Sequence, residues 1–236
     1  MNITAEEKLM YTVMKAIYDS GIPMNFKGSM VLKACLLEAG LTEETRHTVD
    51  IDANWYSNTA PSAEQMERSL QRAIQNGGIE LNVKLYRMSG EGRSAGFELS
   101  DVTTGEVIFT MDVDVNRPAA KTKIYEVNGI RFCGIAPSQM TADKLSAIST
   151  DKVFRRIKDV VDLYYISKVF EFNKSEIVDT LRNSGRELDS FNGFLHRPED
   201  LRHSYEKFRF TGNVDKPAFD EVYAGVKEYI KDILPM

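Results

Sequence analysis

The chain has little cysteine. Of its 236 residues only Cys35 and Cys133 carry a thiol. They lie far apart, each inside an apolar run, so neither a disulfide framework nor a cysteine-type zinc site has the material to form. Such usage fits a reducing compartment. Histidine is almost as scarce, and His47, His196 and His203 fall at spacings that suit no metal. The opening Met1-Asn2-Ile3-Thr4-Ala5-Glu6-Glu7 lacks the basic-then-apolar pattern of a secretion signal, and no apolar run is long enough to span a bilayer. A cytoplasmic protein without a membrane partner is expected. Repeats, low-complexity tracts and Pro/Gly-rich linkers are missing too. Positive charge is not in excess. With a formal net charge of -5, nonspecific attraction to nucleic acid is disfavoured, and any RNA contact must be a local patch.

What is present is an ordinary globular balance, 42% hydrophobic and 28% charged, with enough chain to bury a core. Within it one stretch stands out, Arg46-His47-Thr48-Val49-Asp50-Ile51-Asp52-Ala53-Asn54-Trp55. Side chains at i and i+2 of a strand share a face, so Asp50 and Asp52 project together, with Val49 and Ile51 expected to pack behind them. Two carboxylates that close repel. Either one keeps its proton or a cation lies between them, and hard oxygen ligands suit a divalent ion such as Mg²⁺. The bland alternative is a solvated edge strand.

Upstream, Thr4 can cap a helix bearing Leu9, Met10, Val13, Met14 and Ile17 at helical spacing, ended by Gly21. A short apolar entry, residues 22–26, then runs through Lys27-Gly28-Ser29 into a helix over 30–37. The free N–H groups and positive dipole end of that helix can hold a phosphate at Gly28 and Ser29, although a Gly-Ser start can also be no more than a cap. Downstream, Ser62 and Gln65 form a capping box for a helix through Ile74. Runs at 79–88, 95–102 and 106–116 then read as an antiparallel meander. The last holds a second alternating pair, Asp112 and Asp114, either of which can bring a carboxylate to the face of Asp50 and Asp52. Asn128-Gly129 signals a type I′ hairpin.

From Pro137 onward the pattern is helical. Ser138 and Asp151 are expected as N-caps, and further helices are expected at 175–181, 198–208 and 217–230. Asp159 and Asp162 share a helix face, where Arg155 can pair with Asp159 and Lys158 with Asp162, each pair contributing about 0.2–0.5 kcal/mol. Arg182, Arg186, Arg197, Arg202, Lys207 and Arg209 give this half a basic side that can meet RNA phosphates or simply be solvated.

Four of these signals occur in a telling order. Lys27-Gly28-Ser29-Met30-Val31-Leu32, Arg46-x-Thr48-x-Asp50-Ile51-Asp52, Asp143-Lys144-Leu145-x-Ala147 and Arg156-x-Lys158-Asp159-x-x-Asp162-Leu163 together resemble the four motifs of the AbiEii/AbiGii nucleotidyltransferase toxin family. The likeness runs from Phe26 to Leu163. It departs from the family's Gly-Gly-Thr/Ala at the first motif, where Ser29 and Met30 fill the second and third places; Gly-Ser is nonetheless the pair of polymerase-β-like nucleotidyltransferases generally. The resemblance implies an α/β (α+β) fold, a mixed sheet flanked by helices over residues 1–136, with a helical region over 137–236. It implies a nucleotidyltransferase toxin of a toxin–antitoxin or phage-defence system that moves a nucleoside monophosphate from an NTP to an acceptor, tRNA first. Its antitoxin would be encoded nearby and need not form a stable complex.

The same resemblance implies one or two Mg²⁺ on Asp50 and Asp52, with Asp114, slightly favoured as nearer the strand end, or Asp112 completing the metal site or accepting a proton. Lys27, Gly28, Ser29 and Lys144 would hold the nucleotide. Asp159 would orient Lys144 or act as base, while Lys158 and Asp162 support their helix. Lys144 and Asp159 are therefore expected to fold back toward the strand acids. Two other functions stay open: a module that binds nucleotide without turnover and acts through a partner, and a nucleotidyltransferase or kinase-like enzyme acting on a protein or small molecule.

Overall fold

In the computed structural model, residues 2–57, 61–90, 93–115, 120–210 and 214–234 are described. The chain divides into two units, Asn2–Glu38 with His47–Ile135, and Ala39–Arg46 with Ala136–Met236.

The first unit begins with α1, Ala5–Asp19, opened by a Thr4/Glu7 capping box and burying Met10, Tyr11, Val13, Met14 and Ile17 along one stripe. Strand β1, Met24–Lys27, leads directly into helix α2, Gly28–Glu38. The acidic stretch becomes β2, Asp50–Trp55, in which Ile51, Ala53 and Trp55 are buried and Asp50, Asp52 and Asn54 occupy the other face. Val49 does not pack behind the acids; it is 66% exposed. Pairing with the neighbouring strand starts only at Asp50, so Val49 precedes the sheet. After α3, Ala63–Asn76, capped by Ser62 and Gln65, come β3, Leu81–Ser89, β4, Ser94–Asp101, and β5, Val107–Val115. These form the expected antiparallel meander; Asn116, its predicted last residue, lies outside the described residues. A hairpin of β6, Thr122–Val127, and β7, Ile130–Ile135, follows, with Asn128 and Gly129 both at positive φ, as a type I′ turn requires.

The strands form one mixed sheet in the order β3-β4-β5-β2-β1-β7-β6. Strands β2 and β5 run parallel, as do β1 and β7, while β1 and β2 are antiparallel. On the apolar side, Phe26 meets Phe132 edge-on, and Tyr11 of α1 stacks on Phe132 at 5.6 Å. Helix side chains occupy backbone groups that the edge strands would otherwise leave open. On β3, Gln71 accepts from Val83 N and donates to Leu81 O, and Glu67 accepts from Leu85 N. On β6, Glu38 accepts from Glu126 N. These contacts blunt both edges against pairing with another chain.

The second unit is helical: α4, Pro137–Ile148; α5, Ile157–Ser167; α6, Lys174–Asn183; α7, Asn192–His196; α8, Pro198–Lys207; and α9, Phe219–Tyr229. Helix α4 packs on α5 and α6, and α5 on α9. Two expected caps are displaced. Pro137 takes the first helical position with Ala136 as N-cap, which puts Ser138 inside the first turn. Asp151 lies in a turn ahead of a short 3₁₀ segment, Val153–Arg156, from which α5 continues. Among the described residues no helix is long and apolar enough to cross a membrane.

Candidate active site

The β1–α2 junction fixes the first part of the site. Gly28 has φ +71°, and a Cβ there would overlap Asp52 Oδ2 and stand 2.9 Å from Asp52 Cγ. Glycine is required twice over, for the left-handed backbone and for the space that the carboxylate fills. Asp52 is thereby seated against the N-terminus of α2, where unpaired N–H groups and the helix dipole favour negative charge. Lys27 is its direct partner across β1 and β2.

Asp50 is oriented from the segment before it. Thr48 Oγ1 donates to Asp50 Oδ1 at 2.8 Å and lies 3.1 Å from Ser29 Oγ. The buried Ser29 hydroxyl thus meets Thr48, a contact that the reading of Ser29 as a phosphate donor left out. One residue earlier, His47 Nδ1 is 3.2 Å from Glu7 Oε1, and Glu7 Oε2 accepts from Lys33 Nζ at 2.6 Å. Glu7 and Lys33 are both buried. Burial alone would push the Glu7 carboxyl up, but Lys33, the Thr4 amide and His47 together hold it below its ordinary value. A buried ion cluster therefore anchors the segment that presents Thr48 to Asp50.

The parallel register of β2 and β5 puts Asp112 opposite Asp52 and Asp114 opposite Asn54, so both later acids share the face of the first pair. Each meets a cation. Arg87 Nη2 lies 2.8 Å from both oxygens of Asp112, and Lys27 Nζ is 2.6 Å from Asp114 Oδ2. Register brings Asp112 nearer to Asp52 than Asp114, whereas position along the strand alone favoured Asp114.

Among the described residues no group of three or more His, Cys, Asp or Glu stands ready to hold a metal. The donor chemistry on β2 nonetheless fits a hard cation: two carboxylates on one face and, two residues beyond Asp52, a buried Asn54 Oδ1 with no hydrogen-bond partner. Asn54 was not picked out from the sequence; the period of two from Asp50 through Asp52 to Asn54 was the signal that could have found it.

In the second unit, Lys144 and Asp159 form part of a buried charge network. Lys144 Nζ donates to Asp162 Oδ2 at 2.6 Å and is 3.4 Å from Asp159 Oδ1. Arg46 Nη2 approaches both Asp162 oxygens at 3.3 and 3.4 Å, and Arg156 Nη1 is 3.9 Å from Asp159. Asp162, read from the sequence as helix support, is thus the tighter partner of Lys144, and Asp159 is paired with Lys144 and Arg156 rather than Arg155. Burial pulls the Lys144 ammonium down, but Asp162 and Asp159 outweigh it and leave its pKa raised. Burial pushes Asp162 up, and Lys144 and Arg46 bring it below its ordinary value. The proposed basic side is largely paired with acids: Arg182 with Asp179, Arg186 with Asp143, Arg197 with Asp200, and Arg202 with Asp220.

A mixed sheet carrying an acid pair beside a Gly-Ser helix start agrees with the nucleotidyltransferase arrangement that the four motifs resemble. A model of the family described as "Nucleotidyl transferase AbiEii toxin, Type IV TA system" matches residues 13–225. The chain belongs to that family of nucleotidyltransferase toxins, and so to toxin–antitoxin systems. Among solved structures it is similar to MenT4, a nucleotidyltransferase toxin from Mycobacterium tuberculosis H37Rv, with TM-score 0.63 and 15% identity over 97% of this chain and 83% of that one. This likeness bears on the fold. A second match, to an antigenic nucleotidyltransferase-like protein from Paracoccidioides brasiliensis, has TM-score 0.48 and 15% identity over 89% of this chain and 95% of that one. No curated protein sequence matches the chain.

Proposed function

We propose that the chain transfers a nucleoside monophosphate from an NTP to RNA, tRNA being the favoured acceptor, in a Mg²⁺-dependent reaction in the cytoplasm that arrests growth unless a separately encoded antitoxin counteracts it. The observation that carries this reading is the seating of Asp52 against Gly28 at the start of α2, with Asp50 beside it under the Thr48 hydroxyl. A role in phage defence would follow from growth arrest.

Transfer requires in-line attack on the α-phosphate and neutralisation of the charge that develops there. Mg²⁺, when bound, supplies that neutralisation; Asp50 and Asp52 would hold it, with Asn54 Oδ1 as an adjoining neutral donor. The opening amides of α2 at Gly28 and Ser29 would hold the departing phosphates. Lys27 would contribute a point charge to the nucleotide on release from Asp114. Asp114, or Asp112 on release from Arg87, would take the proton from the attacking hydroxyl or complete the metal's ligands. Lys144 is proposed as a nucleotide-binding cation, oriented by Asp159 and, more tightly, by Asp162.

The test is to incubate purified protein with each α-³²P-labelled NTP, Mg²⁺, and either total tRNA or lysate protein. Label in tRNA supports the reading. Label in protein moves the acceptor to another class and keeps the chemistry; transfer of label from γ- but not α-³²P-labelled NTP points to a kinase-like enzyme, and nucleotide binding with no label transferred from either favours a module that acts through a partner.

A further inference from the structure

We infer that Tyr86 is a nucleobase-stacking position on the acidic face of the sheet, a role that rests on the nucleotidyltransferase reading and extends it to recognition of the base.

Pairing of β3 with β4 is regular through Leu85 opposite Phe97, then slips by one residue, and Arg87 resumes opposite Gly96. Tyr86 is the extra residue of this β-bulge. A bulge re-aims the side chains around it, and here the consequence is specific. A Cβ on Gly96 would meet Tyr86 Cε1 at 2.8 Å, Tyr86 Cζ at 2.9 Å and Asp112 Oδ1 at 3.0 Å. The phenol ring therefore lies against the one residue of β4 that leaves room for it, beside Asp112.

Gly96 is the register partner of Asp112, and Asp112 that of Asp52. Two strand spacings, about 10 Å in all, separate the ring's seat from the acid pair. That is about the reach of a nucleotide from its phosphate to its base. Tyr86 keeps 44% of its surface exposed although it belongs to a strand whose first part is covered by α3 side chains. Arg87 fixes the arrangement from the other side, its guanidinium on Asp112 and 5.7 Å from the Tyr86 ring centre. An aromatic ring with a glycine under it, an arginine at its side and an open surface is suited to a flat, sequence-tolerant partner such as a nucleobase. The base can belong to the incoming NTP or to the terminal nucleotide of the acceptor RNA.

The experiment compares Tyr86→Phe, Tyr86→Leu, Tyr86→Ala and Tyr86→Trp in the full chain. Stacking predicts that Phe retains the wild-type KM, while both Leu and Ala raise it by about 5- to 150-fold, the equivalent of about 1–3 kcal/mol per stacked base. A rise confined to the NTP assigns the incoming base, and a rise confined to the RNA assigns the acceptor. If Leu restores what Ala loses, the ring only packs over Gly96 and the inference fails. Fluorescence of Tyr86→Trp, taken as the difference from the wild type whose one tryptophan is Trp55, gives a readout independent of turnover: NTP or RNA should quench it, and ribose 5-triphosphate, which has no base, should not. Quenching by neither NTP nor RNA overturns the stacking role even where transfer is intact, whereas quenching without transfer in the wild type would overturn the proposed reaction and leave the base site standing.

Discussion

Replacing Gly28 with alanine is the sharpest structural perturbation available, because two independent costs fall on one methyl group. The backbone at φ +71° carries about 1–2 kcal/mol for an L-residue. The added Cβ would also occupy the place of Asp52 Oδ2, so the carboxylate must leave the N-terminus of α2. Losing a charge-assisted contact of this kind costs about another 1–2 kcal/mol. Gly28→Ala should therefore lose about 2–4 kcal/mol, a melting temperature lower by about 2–4 °C for each kcal/mol at this chain length. A double-mutant cycle separates the costs. In an Asp52→Ala background the overlap with the carboxylate is gone and only the 3.0 Å approach to the residue 52 Cβ remains, so Gly28→Ala should cost about 1–2 kcal/mol less there. Urea denaturation of the four proteins measures this. Additivity to within about 0.5 kcal/mol would mean that Gly28 and Asp52 do not compete for the same space, and the argument for a seated carboxylate would be wrong.

Three further outcomes follow from the charge networks and the family. Asp162 has a lowered pKa, so its contribution to stability is complete above about pH 4 and is lost as pH falls through its folded value; Asp162→Asn should flatten the acid limb of a stability-versus-pH curve below about pH 4, and an unchanged limb would refute the network. Glu7→Gln leaves Lys33 buried without its carboxylate and should cost about 3–5 kcal/mol in urea denaturation, whereas a loss below about 1 kcal/mol would mean that the cluster is not holding the fold. Induced expression should slow bacterial growth and Asp52→Asn should relieve it at equal soluble protein; unimpaired growth with the wild type would sink the toxin role.

The parts legible in the sequence were the ones written locally. Thr4 and the pair Ser62 with Gln65 announce helix starts, Asn128-Gly129 announces its turn, and Lys27-Gly28-Ser29 between an apolar run and a helix announces the junction that seats Asp52. The alternation in β2 and β5 likewise put each acid pair on a single face. Partnerships set by register were not legible. Nothing near Asp112 signals that β5 runs parallel to β2, or that a bulge at Tyr86 brings Arg87 across Gly96 to the acid. Lys27 with Asp114, Lys33 with Glu7 and His47, and Arg46 with Asp162 join residues between 14 and 116 positions apart. Periodicity carries no information about such pairs. The basic residues of the helical half illustrate the same limit: as a list they allowed either an RNA-facing side or a solvated one, and folding pairs Arg182, Arg186, Arg197 and Arg202 with acids that the list does not name.

The central claim is that the acid pair of β2 performs nucleotidyl transfer, and its most direct test is single-turnover transfer from α-³²P-labelled NTP by wild type, Asp50→Asn and Asp52→Asn in saturating Mg²⁺. Each substitution should slow transfer by about a hundredfold or more. Melting temperature should stay within about 4 °C of the wild type, because relief of repulsion within the pair offsets what Asp52→Asn loses at the N-terminus of α2. Full transfer by either variant, or a melting temperature well below that of the wild type, would make Asp50 and Asp52 structural residues and contradict the account.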